Sequence, residues 1–316
     1  MRDFIVAFAL ALLAFPAQAQ FPSRPVRLVV PAAAGGPTDI VGRLLAQELG
    51  AVWDQRVLVE NRASAGGIVG TELVVKAAPD GHTLLLSSAV PIVMSKSLIA
   101  NLSFDPQKDL APVSQLASVP ILLYVSPRLP VRDVAQLIAY LKERPGKLNF
   151  ASAGPGTMPH MAAELFKKQA ALDIVHVPYK GAPAAAAAVM SGDAALYFDT
   201  TAALTHVRSG KLRALMVAAP KRYPAAADLP SAEEAGLPGF SADPWYGLLG
   251  PAQLSRELRL RIHSDVARAL SGEARSRFAS MGFEIVASPP DVFADTIAAE
   301  SDRWAALIRA AGIRAE

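Results

Sequence analysis

An apolar, β-type run from Val26 to Val30 turns through Ala34-Gly35-Gly36-Pro37 and opens directly into a helix predicted over Thr38 to Leu49. So short a hand-over from strand to helix is the joint of a βαβ unit, and it commits this part of the chain to a sheet with helices packed on it. Two glycines let a backbone approach a ligand closely, Thr38 or Asp39 can cap the helix, and the first amides of a helix point outward with partial positive charge. On these residues alone the segment is equally a plain strand-to-helix turn.

The joint recurs in the second half, where a strand from Leu148 to Ala151 enters Ser152-Ala153-Gly154-Pro155-Gly156-Thr157 and then a helix carrying His160, Glu164 and Phe166. Between and beyond these joints the pattern predicts strands at Val57 to Glu60, Thr83 to Ser87, Ile121 to Val125, Val175 to Pro178, Leu196 to Asp199 and Leu212 to Ala218. Helices are predicted from Ile68 to Ala77, from Val131 to Glu143, over the small-residue run Ala184 to Met190, from Leu254 to Ala269, and after Ser288-Pro289-Pro290-Asp291. Such alternation predicts parallel sheets covered on both faces. At 316 residues the chain exceeds one small domain, and two α/β lobes are expected: 20–121 with 242–316, and 122–241. Two crossing segments near Ile121 and Ala242 would join them, with a ligand bound in the cleft between.

Residues 1–19 combine Arg2, the apolar run Phe4 to Phe15 and a small-x-small end at Ala17-Gln18-Ala19, a pattern of export signal; cleavage near Ala19 and a soluble exported protein are expected. A net charge of +3, with no basic stripe interleaved with aromatics, argues against nucleic acid as a partner. The absence of cysteine removes thiolate catalysis, disulfides and cysteine metal sites. His82, His160, His176, His206 and His263 show no metal-ligand spacing, so no metal and no cofactor are expected. His160, beside a glycine turn, is the histidine nominated for a cleft, whereas His82 and His176 read as structural.

Ser152 lacks the G-x-S-x-G elbow of a hydrolase, and Ser87-Ser88 and Ser152 read better as hydroxyls at strand ends, where ligand contacts collect in α/β sheets. Asp199, ending an apolar strand, reads as a helix cap, a structural acceptor or a general base, and Asp39 as the cap of its own helix. Neither glycine turn matches a nucleotide fingerprint. What they would supply is two sets of free amides that face each other on lobe closure, an arrangement suited to a carboxylate. Gly36→Val is then expected to weaken binding while leaving the fold intact.

A longer ordered set of motifs narrows the reading. Pro22-Ser23-Arg24-Pro25-Val26, Gly35-Gly36-Pro37-Thr38-Asp39, Val59-Glu60-Asn61-Arg62, Pro79-Asp80-Gly81-His82-Thr83-Leu84 and Pro145-Gly146-Lys147-Leu148-Asn149 are followed by His176-Val177-Pro178-Tyr179-Lys180-Gly181, Ser209-Gly210-Lys211-Leu212-Arg213, Glu234-Ala235-Gly236-Leu237-Pro238-Gly239 and Trp245-Tyr246-Gly247. In this order they resemble the tripartite tricarboxylate transporter substrate-binding proteins, the Bug family of periplasmic receptors, over nearly the whole mature chain. The resemblance implies a two-lobe periplasmic-binding-protein (type II) fold, each lobe a sheet flanked by helices. It implies a monomeric, non-enzymatic receptor that closes on a small organic carboxylate in the periplasm and passes it to a tripartite-type membrane permease. Carried over residue by residue, it nominates Ala34, Gly36, Thr38 and Asp39 on one wall. Ser152, Gly154, Gly156, Thr157, His160, Tyr179, Lys180, Gly181 and Asp199 form the other, with Ser87 and Ser88 at the distal end of a ligand. Lys180 is equally a solvated turn residue, and Trp245 a packing residue. The chain departs from the family pattern at Ala32, at His82 and at Pro155, which removes an amide from the second turn. A receptor feeding a sensor protein and an exported hydrolase using Asp199 and His160 are the alternative expectations.

Overall fold

The computed structural model describes residues 21–314, so the export signal read in 1–19 lies outside the described residues. Two sheets organise the chain. The first has strands β1 (Val26–Val30), β2 (Val57–Asn61), β3 (Thr83–Ser88), β4 (Leu110–Ser118), β10 (Trp245–Pro251) and β11 (Glu284–Ile285), in the order β11-β4-β10-β3-β1-β2. The second has β5 (Ile121–Val125), β6 (Asn149–Ser152), β7 (Val175–Pro178), β8 (Leu196–Thr200) and β9 (Arg213–Val217), in the order β7-β6-β8-β5-β9.

The sheets are mixed, which corrects the expectation of parallel ones. The βαβ joints do produce parallel pairs, β1 with β2 and β3, and β6 with β7 and β8. However, β10 runs antiparallel to both β3 and β4, and β5 runs antiparallel to both β8 and β9. These antiparallel members are the strands next to the crossings. Val119 and Pro120 carry the chain from the first sheet to the second, and it returns after β9 to enter β10. The two crossings are tied together where the Val119 amide donates to Pro244 O at 3.0 Å.

Strand β4 had no sequence signal of its own, and the reason is physical. Its register against β10 shifts twice, between Tyr246 and Gly247 and between Leu248 and Leu249, so its burial runs in threes instead of alternating.

Three apolar clusters hold the layers. One face of the first sheet packs Leu28, Val30, Leu84, Leu86 and Leu248 against Val41, Leu45, Ile262 and Val266 of the helices Pro37–Trp53 and Arg256–Ala269. On the second sheet Ala185, Ala186, Ala188 and Val189 of the helix Ala182–Ser191 lie against Ala151 and Tyr197, and their small side chains let that helix approach closely. The third cluster joins both sheets: Val29, Leu85, Phe293 and Trp304 are continuous with Phe150, Phe166, Phe198 and Phe240. The long C-terminal helix Pro290–Ala311 carries this continuity, packing on β4, on the short helices Ala89–Val93 and Ser95–Leu98, and on the helix Met158–Gln169 of the second sheet.

Candidate functional site

The first glycine turn is braced from within. Gly36 is the N-cap of the helix and Pro37 its first residue, so the capping role predicted for Thr38 or Asp39 passes to a backbone arrangement in which proline supplies a helical φ and needs no amide partner. Asp39 instead reaches backward. Its Oδ2 accepts the Gly35 amide and Arg43 Nε, each at 2.8 Å, and its Oδ1 accepts Asn61 Nδ2 at 2.9 Å. Asn61 Nδ2 also donates to Ala32 O at 3.2 Å, which fastens the start of the turn to the end of β2. Burial opposes a charge on Asp39, but these hydrogen bonds outweigh it and hold the carboxyl below its ordinary range. Asp39 is therefore a fixed anion that shapes the turn.

The result is a particular distribution of amides. Gly35 N is taken by Asp39 and Gly36 N lies 3.3 Å from Ala33 O, whereas the amides of Ala34, Thr38 and Asp39 have no partner among the described residues. The glycine requirement also moves by one position. Gly35 has φ +79°, in the left-handed region, while Gly36 is in ordinary extended backbone with φ −76°. A Cβ on Gly36 would lie 3.3 Å from Ala33 O, a contact that a small shift relieves.

The second turn is braced by imidazoles. His160 Nδ1 accepts the Gly156 amide at 3.1 Å, so the ring proton of the neutral form is on Nε2, which faces Glu164 Oε1 at 3.9 Å. His176 stacks on His160 with centroids 3.9 Å apart, and Phe150 stacks on His176 at 4.8 Å. Ser152 Oγ meets His176 Nε2 at 2.6 Å and accepts the Gly154 amide at 3.2 Å. Burial, with the neighbouring His176 and Lys167, lowers the His160 pKa to about 4, and burial with Lys167 lowers that of His176 to about 4. Both rings are neutral at ordinary pH. Thr157 closes the turn, its Oγ1 donating to Gly154 O at 2.7 Å.

The remaining nominated residues sit at strand ends. Ser88 precedes the helix Ala89–Val93 as its N-cap residue, and Ser87, fully buried, donates to Ser88 O at 3.1 Å. The Tyr179 amide donates to Ser152 O at 2.9 Å, bringing the end of β7 beside the second turn; Gly181 N reaches Ala153 O at 3.3 Å, and Lys180 is exposed. Asp199 Oδ1 accepts the Thr200 amide at 2.8 Å, and burial raises its pKa. No described hydrogen bond joins Asp199 to His160, so the pair invoked for hydrolysis is not assembled among the described residues.

A Cβ on Gly35 would meet nothing within 4 Å. A Cβ on Gly156 would meet Leu98 Cδ1 of the first-sheet side at 3.2 Å. The start of the helix Pro37–Trp53 instead shares a cavity of about 460 Å³ with the segment after β8, lined by Pro37, Ile40, Thr200, Leu204, Arg208 and Tyr246 among others. None of the fifteen nominated residues lines this cavity, although Pro37 and Thr200 are chain neighbours of Gly36 and Asp199. Sequence reasoning missed Asn61 as the brace of the first turn, while His176, read as structural, braces the second without its partners having been named. Asn61 lay inside the Val59-Glu60-Asn61-Arg62 motif, but its partner Asp39 stands 22 residues earlier in the chain, and the partners of His176 come from β6 and the helix Met158–Gln169.

The family model described as tripartite tricarboxylate transporter family receptor matches residues 41–313. BugT of Bordetella pertussis is 36% identical over 313 residues, covering 98% of this chain and 96% of that protein. An R. palustris protein solved with adipate is 31% identical, with a TM-score of 0.77 over 93% of this chain and 99% of that one. MatC from Rhodopseudomonas palustris, solved with bound malate, is 33% identical, with a TM-score of 0.73 over 91% of this chain and 100% of that one. The two sheets thus form the two-lobe architecture of periplasmic binding proteins.

Proposed function

The chain belongs to the tripartite tricarboxylate transporter receptor family, whose members bind solutes, and from that premise we propose that it captures a small organic carboxylate between its lobes in the periplasm and delivers it to a tripartite-type membrane permease. The observation that carries this reading is the braced turn at Gly35. Asp39 and Asn61 fix its shape while the amides of Ala34, Thr38 and Asp39 are left for an outside acceptor at the positive end of a seventeen-residue helix. Adipate and malate in the two R. palustris relatives are acceptors of this kind.

In this proposal the lobes are 20–121 with 242–316, and 122–241, following the export signal of residues 1–19. Ala34, Gly36, Thr38 and Asp39 present the first wall through their backbone. Gly154, Gly156, Thr157, Tyr179, Lys180 and Gly181 shape the second, where the amides of all but Lys180 are engaged inside the protein, with Ser87 and Ser88 toward the far end of the ligand and Asp199 beside it. Ser152 and His160 act by holding the second turn, since their polar atoms are engaged inside the protein. A helix terminus contributes about 0.3–2 kcal/mol toward an anion, so several such amides act together. The receptor works as a monomer without cofactor or metal. Calorimetry with malate, adipate and a neutral sugar tests the reading: a carboxylate should bind at micromolar concentration or better, and preference for the sugar would sink it.

A further inference from the structure

The cavity of about 460 Å³ between the lobes meets the glycine turns only at Pro37, and its lining has a chemistry of its own. Ile40, Tyr246, Met281 and Phe283 close it on the first-sheet side, and Leu204 does so on the other. Ile40 and Met281 keep 37% and 43% of their surface exposed, so an apolar group entering the cavity would remove already hydrated apolar surface from water. Leu204, Thr205 and Arg208 stand one, and then three, residues apart in the helix Leu204–Arg208, a spacing that places Leu204 and Arg208 on one face. The Arg208 guanidinium forms no hydrogen bond or ion pair among the described residues, and no acidic residue lines the cavity. The Thr205 hydroxyl is already engaged, donating to Ala202 O at 3.2 Å.

An apolar chamber of small-ligand size with one unpaired cation on its wall selects an apolar-bodied anion. We propose that this cavity is a second binding compartment of the interlobe cleft, taking the ring or chain of an aromatic or aliphatic monocarboxylate with the carboxylate at Arg208. Because both lobes line it, an occupant favours the lobe arrangement described above and is coupled to binding at the glycine turns.

Benzoate, its neutral amide benzamide, and acetate separate the contributions of body and charge, with malate as the probe of the turns. Calorimetry on the full mature protein should show benzoate binding about tenfold or more tighter than benzamide, the amount expected for one charge-assisted hydrogen-bonded pair, and about tenfold or more tighter than acetate, from burial of the ring. Benzoate should move the NMR signal of the Met281 methyl group. Arg208→Gln should reduce benzoate to the level of benzamide, and Ala202→Trp, which fills the mouth of the cavity, should exclude both; neither should abolish malate binding. Benzoate that leaves the Met281 signal unmoved, or that binds both variants as it binds the wild type, overturns the proposal. Failure of malate while benzoate still binds at Arg208 would overturn the reading of the turns and leave this one in place.

Discussion

Gly35 and Gly36 divide the work of the first turn. Gly35 supplies the left-handed backbone and gives its amide to Asp39, and Gly36 caps the helix in a conformation open to other residues. Gly35→Ala should therefore cost about 1–2 kcal/mol in strain and weaken carboxylate binding, while Gly36→Ala should change both far less; parallel calorimetry and thermal melts check this. The turn itself was legible in the sequence, because glycine, proline and a following acidic residue mark it. Which glycine mattered was not, because that depends on where Asn61 and Asp39 pull the chain. The histidines predict a pH effect of definite sign. His160 and His176 have folded pKa values near 4, below the unfolded value of about 6.5, so the unfolded chain takes up more protons between these limits and stability falls as pH drops through that window. Asp243 acts oppositely. Burial first, and then Glu300 and Glu284, push its pKa up to about 7, and its Oδ1 has no partner among the described residues, so stability falls as pH rises from its unfolded value toward 7. Asp243→Asn should raise the melting temperature near neutral pH and flatten the decline between about pH 4 and 7, whereas His176→Asn should flatten the loss of stability on acidification; melts across pH distinguish the two.

The helix Ala182–Ser191 shows how an element is placed by what it lacks. Ala185 is fully buried beneath β6 and β8, in a cluster with Ala151 and Tyr197. Ala185→Leu should overfill that contact and destabilise by about 1–3 kcal/mol, seen as a lower denaturant midpoint with an unchanged slope. The alanine run announced this helix, and the βαβ joints announced β1 to β3 and β6 to β8. Strand β4 stayed hidden because its bulges erase alternation, and β10 because a strand buried along its whole length has no polar face to alternate with. The mixed direction of both sheets follows from those two strands together with β5, so it could not be read without them.

At the scale of the whole molecule the lobes touch at Gly282. Its carbonyl accepts the Tyr223 hydroxyl at 2.9 Å, and a Cβ on it would lie 2.9 Å from Thr201 Oγ1 at a φ of +83°. Gly282→Val should push the lobes apart, increase the radius of gyration in small-angle scattering and weaken any ligand held between them. Two lobes were legible from the repeated joints and the chain length, but this contact was not, since Tyr223 and Gly282 come from opposite sides of the crossings. Capture of a carboxylate by the braced turns is tested by mass spectrometry of small molecules released from the purified protein, followed by calorimetry of each identified acid against Gly35→Ala. An organic acid should be released that rebinds the wild type and binds Gly35→Ala about tenfold or more weakly. Release of only uncharged solutes, or an acid that binds both proteins equally, would contradict it.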